Sequence, residues 1–101
     1  MVHLTRLARA ASTQDLVHQR GEDGAPHGTA IVAAEQMEAR GTRGRAWSAP
    51  VGGVWMSVLC RPAGGAGVEV LSLRVGLAVA AALEGAGTLP PIGLKWPNDL
   101  I

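Results

Sequence analysis

Arg40-Gly41-Thr42-Arg43-Gly44-Arg45-Ala46-Trp47 sets the terms for the rest of the chain: six positions carry three guanidinium groups and two glycines, and an indole follows. Glycine lets backbone N–H groups turn toward a ligand without interference from a Cβ atom. Arginine supplies rigid, permanently charged forks that match carboxylate and phosphate oxygens. Such a loop is built to hold an anion. Trp47 adds a flat surface for an aromatic ring, a base for example, two residues beyond the last charge. A solvated basic loop that ends in a core tryptophan uses the same residue types, so the flanking segments have to decide.

Upstream of the loop, Thr29 to Ala34 is a β-rich apolar run that ends at Glu35-Gln36. The Gln36 amide therefore stands at a strand end, where binding residues often sit, although anchoring the loop by a hydrogen bond would serve equally well. Before that strand, Glu22 to Gly28 reads as a Gly/Pro loop, and Ser12 or Thr13 as a helix N-cap with Asp15 three residues after Ser12. The helix is expected to run through Arg20 and stop at Gly21, and Val2 to Arg9 to form a short strand before it. Downstream, Gly53 to Cys60 is apolar on both faces apart from Ser57, the pattern of a central strand covered on both sides. Arg61-Pro62 ends it and Ala63 to Gly67 forms a turn. Glu69 to Glu84 then reads as a core helix, apolar except at Ser72, Arg74 and Gly76. After a loop over Gly85 to Pro91, Ile92 to Trp96 is a short strand, Pro97 fixes the backbone, and Asn98-Asp99 makes a turn. The order β, α, β, loop, β, α, β indicates an α/β or α+β domain with a mixed sheet.

The chain has 101 residues, enough for one domain with a modest core, and 48% of them are hydrophobic, which excludes disorder. A net charge of +1 gives no broad basic field, so a general nucleic-acid coat is not expected; the positive charge is concentrated in one loop. One cysteine, Cys60, rules out an internal disulfide and reads as a small buried hydrophobe in a reducing compartment. His3, His18 and His27 have no metal-ligand spacing. The N-terminus lacks a long apolar region, and the longest uncharged apolar run, Val75 to Leu83, is too short for a bilayer. These features point to a cytoplasmic protein without a membrane partner.

Taken in order, Ser12-Thr13, Gln36, the Arg/Gly loop with Trp47, Gly52-Gly53, the Leu71-Ser72-Leu73 helix and Lys95-Trp96-Pro97-Asn98-Asp99 resemble the catalytic domain of biotin–protein ligases, from about Ser12 to the last residue. The resemblance implies a mixed sheet flanked by helices, like that of class II aminoacyl-tRNA synthetases. It implies biotin contacts from Ser12, Thr13, Gln14, Gln36, Arg40, Gly41 and Thr42. It also implies catalytic roles for Arg40, Arg43 and Arg45, and ATP contacts from Arg43, Arg45, Trp47, Lys95, Asn98 and Asp99. Mg²⁺ would sit near Asp99. Three positions depart from the family pattern: Gln14 stands where asparagine is common, Ala39 where a glycine belongs, and Thr42 where an arginine tied to retention of the reactive intermediate belongs.

Met1 lies about a dozen residues before Ser12, so no upstream winged-helix domain and no DNA partner are expected. The family's segment beyond this point, with a further lysine and the remaining pocket strands, is expected to be missing, which makes residues 1–101 the N-terminal part of a catalytic domain with poor activity alone. The implied partner is a biotin carboxyl carrier domain of a carboxylase, and a homodimer stays open. Activating biotin brings its carboxylate to the α-phosphate of ATP, two anions that repel strongly once water is excluded, so cations must be placed beforehand. The product, an acyl-adenylate, is attacked by a carrier lysine without any covalent enzyme nucleophile. Two alternatives remain: a lipoate–protein ligase-like enzyme with the same acyl-adenylate logic, or a non-enzymatic module binding RNA or a phosphorylated partner through the arginine loop.

Overall fold

The structure is a computed structural model that describes residues 3–61, 71–87, 93–95 and 99–100, without the side chains at 42, 94, 95, 99 and 100. The chain divides into two compact units, Met1–Arg61 and Pro62–Ile101. In the first, strand β1 (His3–Ala10) is followed by helix α1 (Thr13–Glu22) and strand β2 (Thr29–Gln36), which pairs with β1 in parallel. Parallel neighbours cannot be joined by a tight turn, so the helix is the crossover that the pairing demands. Strand β3 (Trp55–Val58) adds to β2 in antiparallel register, with Ile31 opposite Ser57 and Ala33 opposite Trp55, to give a mixed sheet in the order β1-β2-β3.

The helix lies over β2 and β3 through a stripe at four-residue spacing. Thr13 and Val17 are buried, and Gly21 brings the backbone so close to β3's end that an added Cβ would stand 3.0 Å from Leu59 Cδ1. The helix runs on to Glu22 instead of stopping at Gly21: the glycine serves close packing, and Asp23 takes the cap, with its N–H bonded to the Gln19 carbonyl and the following Gly24 N–H bonded to the Gly21 carbonyl. In the central strand β2, Ile31 is fully buried, and Ala30 and Ala33 nearly so. Beyond β3, Arg61 ties the sheet end to the preceding loop. Its N–H donates to His27 Nδ1 at 2.9 Å, and its guanidinium donates to the carbonyls of Ala25 and Gly21.

Two expectations about β3 and the residues that follow it need correction. Gly53 to Cys60 is not a central, doubly covered strand: β3 is an edge of the sheet, β2 occupies the centre, and Val54, Met56 and Val58 are 80%, 50% and 45% exposed. Leu4 and Leu7 of β1, Val32 and Ala34 of β2 and Met56 of β3 line an apolar surface on one side of the unit. Cys60, expected to be buried, is exposed. An apolar run shows that a strand is wanted by some apolar surface; it does not show on which side, or when, that surface is covered.

The second unit contains helix α2 (Leu71–Gly85) and a hairpin of β4 (Leu94–Lys95) with β5 (Asp99–Leu100). Asp99 is therefore a strand residue paired with Lys95, and not part of a turn; Trp96, Pro97 and Asn98, between the strands, lie outside the described residues. Among the described residues no helix is long and apolar enough to cross a membrane. Removing the Ile31 side chain by Ile31→Ala is expected to cost about 3 kcal/mol of stability, against about 0.5 kcal/mol or less for Val58→Thr on the exposed face. Urea denaturation of both variants checks the contrast.

Candidate functional site

The site begins where α1 starts. Ser12 has extended backbone angles, and its Oγ accepts from the Asp15 N–H at 3.3 Å, so the anticipated cap forms. Thr13, 2% exposed, comes next. Its N–H, one of the donors that the first turn of a helix leaves unpaired, goes to Gln36 Oε1 at 2.7 Å, and its hydroxyl reaches the same oxygen at 3.1 Å. A backbone N–H can only donate, which fixes the Gln36 oxygen at this contact and leaves the Nε2 amide group as a donor for other partners. The single hydroxyl proton of Thr13 is thereby committed. Ser57 must be the donor in the 2.8 Å contact between its Oγ and Thr13 Oγ1. Three elements, α1, β2 and β3, meet in this one chain of hydrogen bonds. Gln36 thus does anchor structure, and it also keeps free donors.

Beyond Gln36 the chain is held edge-on to its neighbours: Gln36 N–H donates to Ala49, Met37 to Ala10, and Glu38 to Ala11. The arginine loop is then closed by Trp47 N–H to the Ala39 carbonyl at 3.0 Å and Gly41 N–H to the Arg45 carbonyl at 2.6 Å, around a single 3₁₀ turn over Thr42–Gly44. To reverse in so few residues the backbone places both Arg43 (φ 61, ψ 29) and Gly44 (φ 74) in the left-handed region. Gly44 adopts it freely; Arg43 does so at a cost of about 1 kcal/mol. The guanidinium groups of Arg43 and Arg45 are exposed, and neither has an ion-pair partner among the described residues. Trp47 is 62% exposed, with its ring edge against Gly41.

Ser12, Thr13 and Gln14 of the helix start, Gln36, Ala39 and Arg40 of the β2 exit, Trp47, and Val54 to Ser57 of β3 line one open pocket of about 180 Å³. Six of the residues singled out from sequence, Ser12, Thr13, Gln14, Gln36, Arg40 and Trp47, are thus gathered at one place. Gly41, Thr42, Arg43 and Arg45 sit on the adjoining loop, outside the lining. Lys95 and Asp99 pair in the second unit, and Asn98 lies outside the described residues. No three His, Cys, Asp or Glu residues form a possible metal cluster among the described residues, which do not include the Asp99 side chain.

Sequence reasoning assigned no site role to Ser57, Trp55 and Asp15. Ser57 carried a signal, as the lone polar residue in an apolar run. Trp55 carried none: its position over the pocket depends on Gly53, where any Cβ would overlap the indole, and on the Nε1–H bond to the Pro50 carbonyl at 2.8 Å.

Asp15 was read only as a helix-cap residue, yet its carboxylate receives two guanidinium N–H groups from Arg40, 25 positions away. The hydrogen bond from Arg40 is the main reason the Asp15 carboxyl is held below its ordinary value of 3.8, with the charges of Arg40 and His18 adding to it; Arg40 is pushed upward in return. Both side chains are about half exposed, 41% for Arg40 and 55% for Asp15, so the pair sits in water and stabilises weakly.

The geometry defines an α/β domain with a cationic loop at the mouth of a small, largely polar pocket. Residues 7–101 match the Biotin/lipoate A/B protein ligase family, and the chain belongs to that family. It is 35% identical to the bifunctional ligase/repressor BirA of Bacillus spizizenii, over 98% of this chain and 31% of that protein. It is 40% identical to a biotin–[acetyl-CoA-carboxylase] ligase of Paracoccus denitrificans, over 70% of this chain and 30% of that one. The biotin protein ligase from Aquifex aeolicus, solved in complex with biotin and ATP, superposes with a TM-score of 0.81 at 37% identity, over 99% of this chain and 41% of its own. The mixed sheet with helices is therefore the fold of biotin protein ligase catalytic domains. The chain spans about a third of the length of the curated relatives it matches.

Because the folded-state value of Asp15 is lowered, the pair's contribution is complete above pH 3.8 and is lost as the pH falls through the lowered value. An NMR titration of the Asp15 carboxyl is expected to show a midpoint below 3.8 that moves up toward it in Arg40→Ala. The loop backbone gives a second outcome. Gly44→Ala should lose about 1 kcal/mol in urea denaturation, whereas Arg43→Gly should change stability by less than about 0.5 kcal/mol, since relief of the left-handed backbone offsets the added freedom of the unfolded chain.

Proposed function

We propose that this chain forms the N-terminal part of a biotin–protein ligase catalytic domain, which activates biotin as biotinyl-5′-AMP and transfers it to a lysine of a biotin carboxyl carrier domain. The observation that carries this reading is the convergence of Ser12, Thr13, Gln36 and Arg40 on one pocket, in a chain whose relative binds biotin and ATP. Biotin has a flat polar ring at one end and a carboxylate at the other. The hydroxyl and amide groups of Ser12, Thr13 and Gln36 suit the ring, with Gln14 beside them, and Arg40 at the rim suits the carboxylate. Trp47 offers a stacking surface for adenine, and Lys95, Asn98 and Asp99 are assigned to the nucleotide.

In the first step a biotin carboxylate oxygen attacks the α-phosphorus of ATP, the bond to the bridging oxygen breaks, and pyrophosphate leaves. Two unit charges at 4 Å repel by about 4 kcal/mol at the dielectric of a partly shielded site. Arg40, Arg43 and Arg45 offset that repulsion in this proposal and follow the charge onto pyrophosphate. In the second step a neutral lysine amine of the carrier attacks the biotinyl carbonyl, AMP leaves, and an amide forms with loss of the amine proton. A divalent ion such as Mg²⁺ would add positive charge to the phosphates, with Asp99 as its candidate carboxylate. With Thr42 where the family has an arginine, the loop holds the adenylate through backbone groups and the remaining guanidiniums. The family also includes lipoate ligases, and lipoate in place of biotin is the second reading.

The test is biotin- and ATP-dependent labelling of a carrier domain, by residues 1–101 alone and by a chimera joined to the following segment of a relative. The chimera is expected to label with biotin and not lipoate, and Arg45→Ala in it to lose about 10²-fold in rate, the scale of one lost charge-stabilising contact. Residues 1–101 alone are expected to bind biotin weakly and label poorly. Labelling with lipoate in preference would reverse the substrate, and binding that ignores biotin but falls steeply with salt would favour an RNA-binding role.

A further inference from the structure

The Asp15–Arg40 pair serves the pocket more than the fold. Exposed ion pairs contribute little to stability, and this one joins two half-exposed side chains. What is specific is its position. Asp15 stands on the first turn of α1, whose preceding residues Ser12, Thr13 and Gln14 line the pocket, and Arg40 stands at the other wall, on the first stretch of the arginine loop. The contact is end-on: Nη1 meets Oδ2 at 2.9 Å while Nη2 meets Oδ1. A two-point contact of this kind fixes the plane of the guanidinium, which a single hydrogen bond would leave free to rotate. It also uses only the N–H groups at the tip. The side edge, Nε–H with the outer Nη–H, has no protein acceptor among the described residues.

We infer that Asp15 is the positioning residue of Arg40: its carboxylate clamps the guanidinium tip from the helix end, so that the side edge of the same group is presented, already oriented, to the anionic group of a ligand in the pocket. Asp15 on this account stays in place when the ligand binds, and one guanidinium bridges two carboxylates. The clamp also ties the arginine loop to α1 ahead of binding, which reduces the ordering that the ligand would otherwise impose. The nature of the ligand rests on the biotin reading above; the clamp itself does not. Nothing in the spacing of residues 15 and 40 announces the contact.

The decisive experiment is a double-mutant cycle on the 101-residue chain, with Asp15→Asn, Arg40→Ala and the double variant, read by amide hydrogen exchange at Gly41 and Trp47, whose N–H groups close the loop. Asp15→Asn is expected to speed exchange at both by about twofold to fivefold, the range for an exposed ion pair, and to add nothing further once Arg40 is gone. Asp15→Glu should restore most of the protection. A role confined to the helix terminus would instead alter the α1 amides, independently of Arg40, and additive effects at Gly41 and Trp47 would overturn the proposal.

Biotin and its alcohol analogue, which lacks the carboxylate, are then added at millimolar concentration to the wild-type chain. Biotin alone should shift the Arg40 Nε–H resonance while the Asp15 carboxyl signal stays that of the clamped state. If biotin drives that signal to its position in Arg40→Ala, Asp15 is a competitor and the proposal fails. A coupled cycle with no response to biotin upholds the clamp and counts against biotin as the ligand.

Discussion

The Thr13 hydrogen-bond chain is the constraint on which the rest of the site depends. Its N–H and hydroxyl share Gln36 Oε1, and Ser57 donates to the hydroxyl from the far side, so the start of α1, the end of β2 and the middle of β3 are fixed to one another through three side chains. Thr13 is almost fully buried, and a broken link would strand a polar group away from water at a cost of about 1–3 kcal/mol. The arrangement is therefore cooperative. It settles which way the Gln36 amide faces, and so which donors the pocket has left to offer.

A second level of organisation hangs from the first. Because β2 is pinned at Gln36, the chain that leaves it is already aligned when it reaches Arg40, and the loop that follows turns back within a few residues through the left-handed Arg43 and Gly44. Holding a non-glycine residue in that region concentrates strain beside exposed charges, as is common where a loop is shaped for a ligand instead of for stability. The charges themselves are divided: Arg40 is engaged by Asp15 at the pocket rim, while Arg43 and Arg45 face water. Under the proposed ligase function, that division would set one guanidinium in advance and leave the others to answer charge as it moves.

The covered and uncovered faces of the small sheet differ in the same way. Against α1 the packing is tight enough that Gly21 has no room for a larger residue without displacing Leu59, and Ile31 is fully enclosed. On the opposite face Leu4, Met56 and Val58 remain exposed in this unit. The same alternation along β3 that carries Ser57 to the hydrogen-bond chain carries Met56 and Val58 to the other side, so polar function and apolar surface are two consequences of one strand register.

Local chemistry fixed what the sequence made legible. The cap at Ser12, the strand ending at Gln36, the glycine–arginine loop and the order of strands and helices as far as Lys95 each depend on neighbours a few residues apart, and each was readable from spacing alone. The family resemblance rested on the same dense stretches. What the spacing could not show was everything set by contacts between distant positions: that β3 is an edge and β2 the centre, that Cys60 is exposed, that Gly21 packs instead of ending the helix, and that Asp99 pairs with Lys95. The Asp15–Arg40 pair and the Ser57–Thr13–Gln36 chain span 25 and up to 44 positions. Only folding brings such groups within hydrogen-bond reach, because the sheet register and the helix crossover, not the residues' own preferences, decide who meets whom.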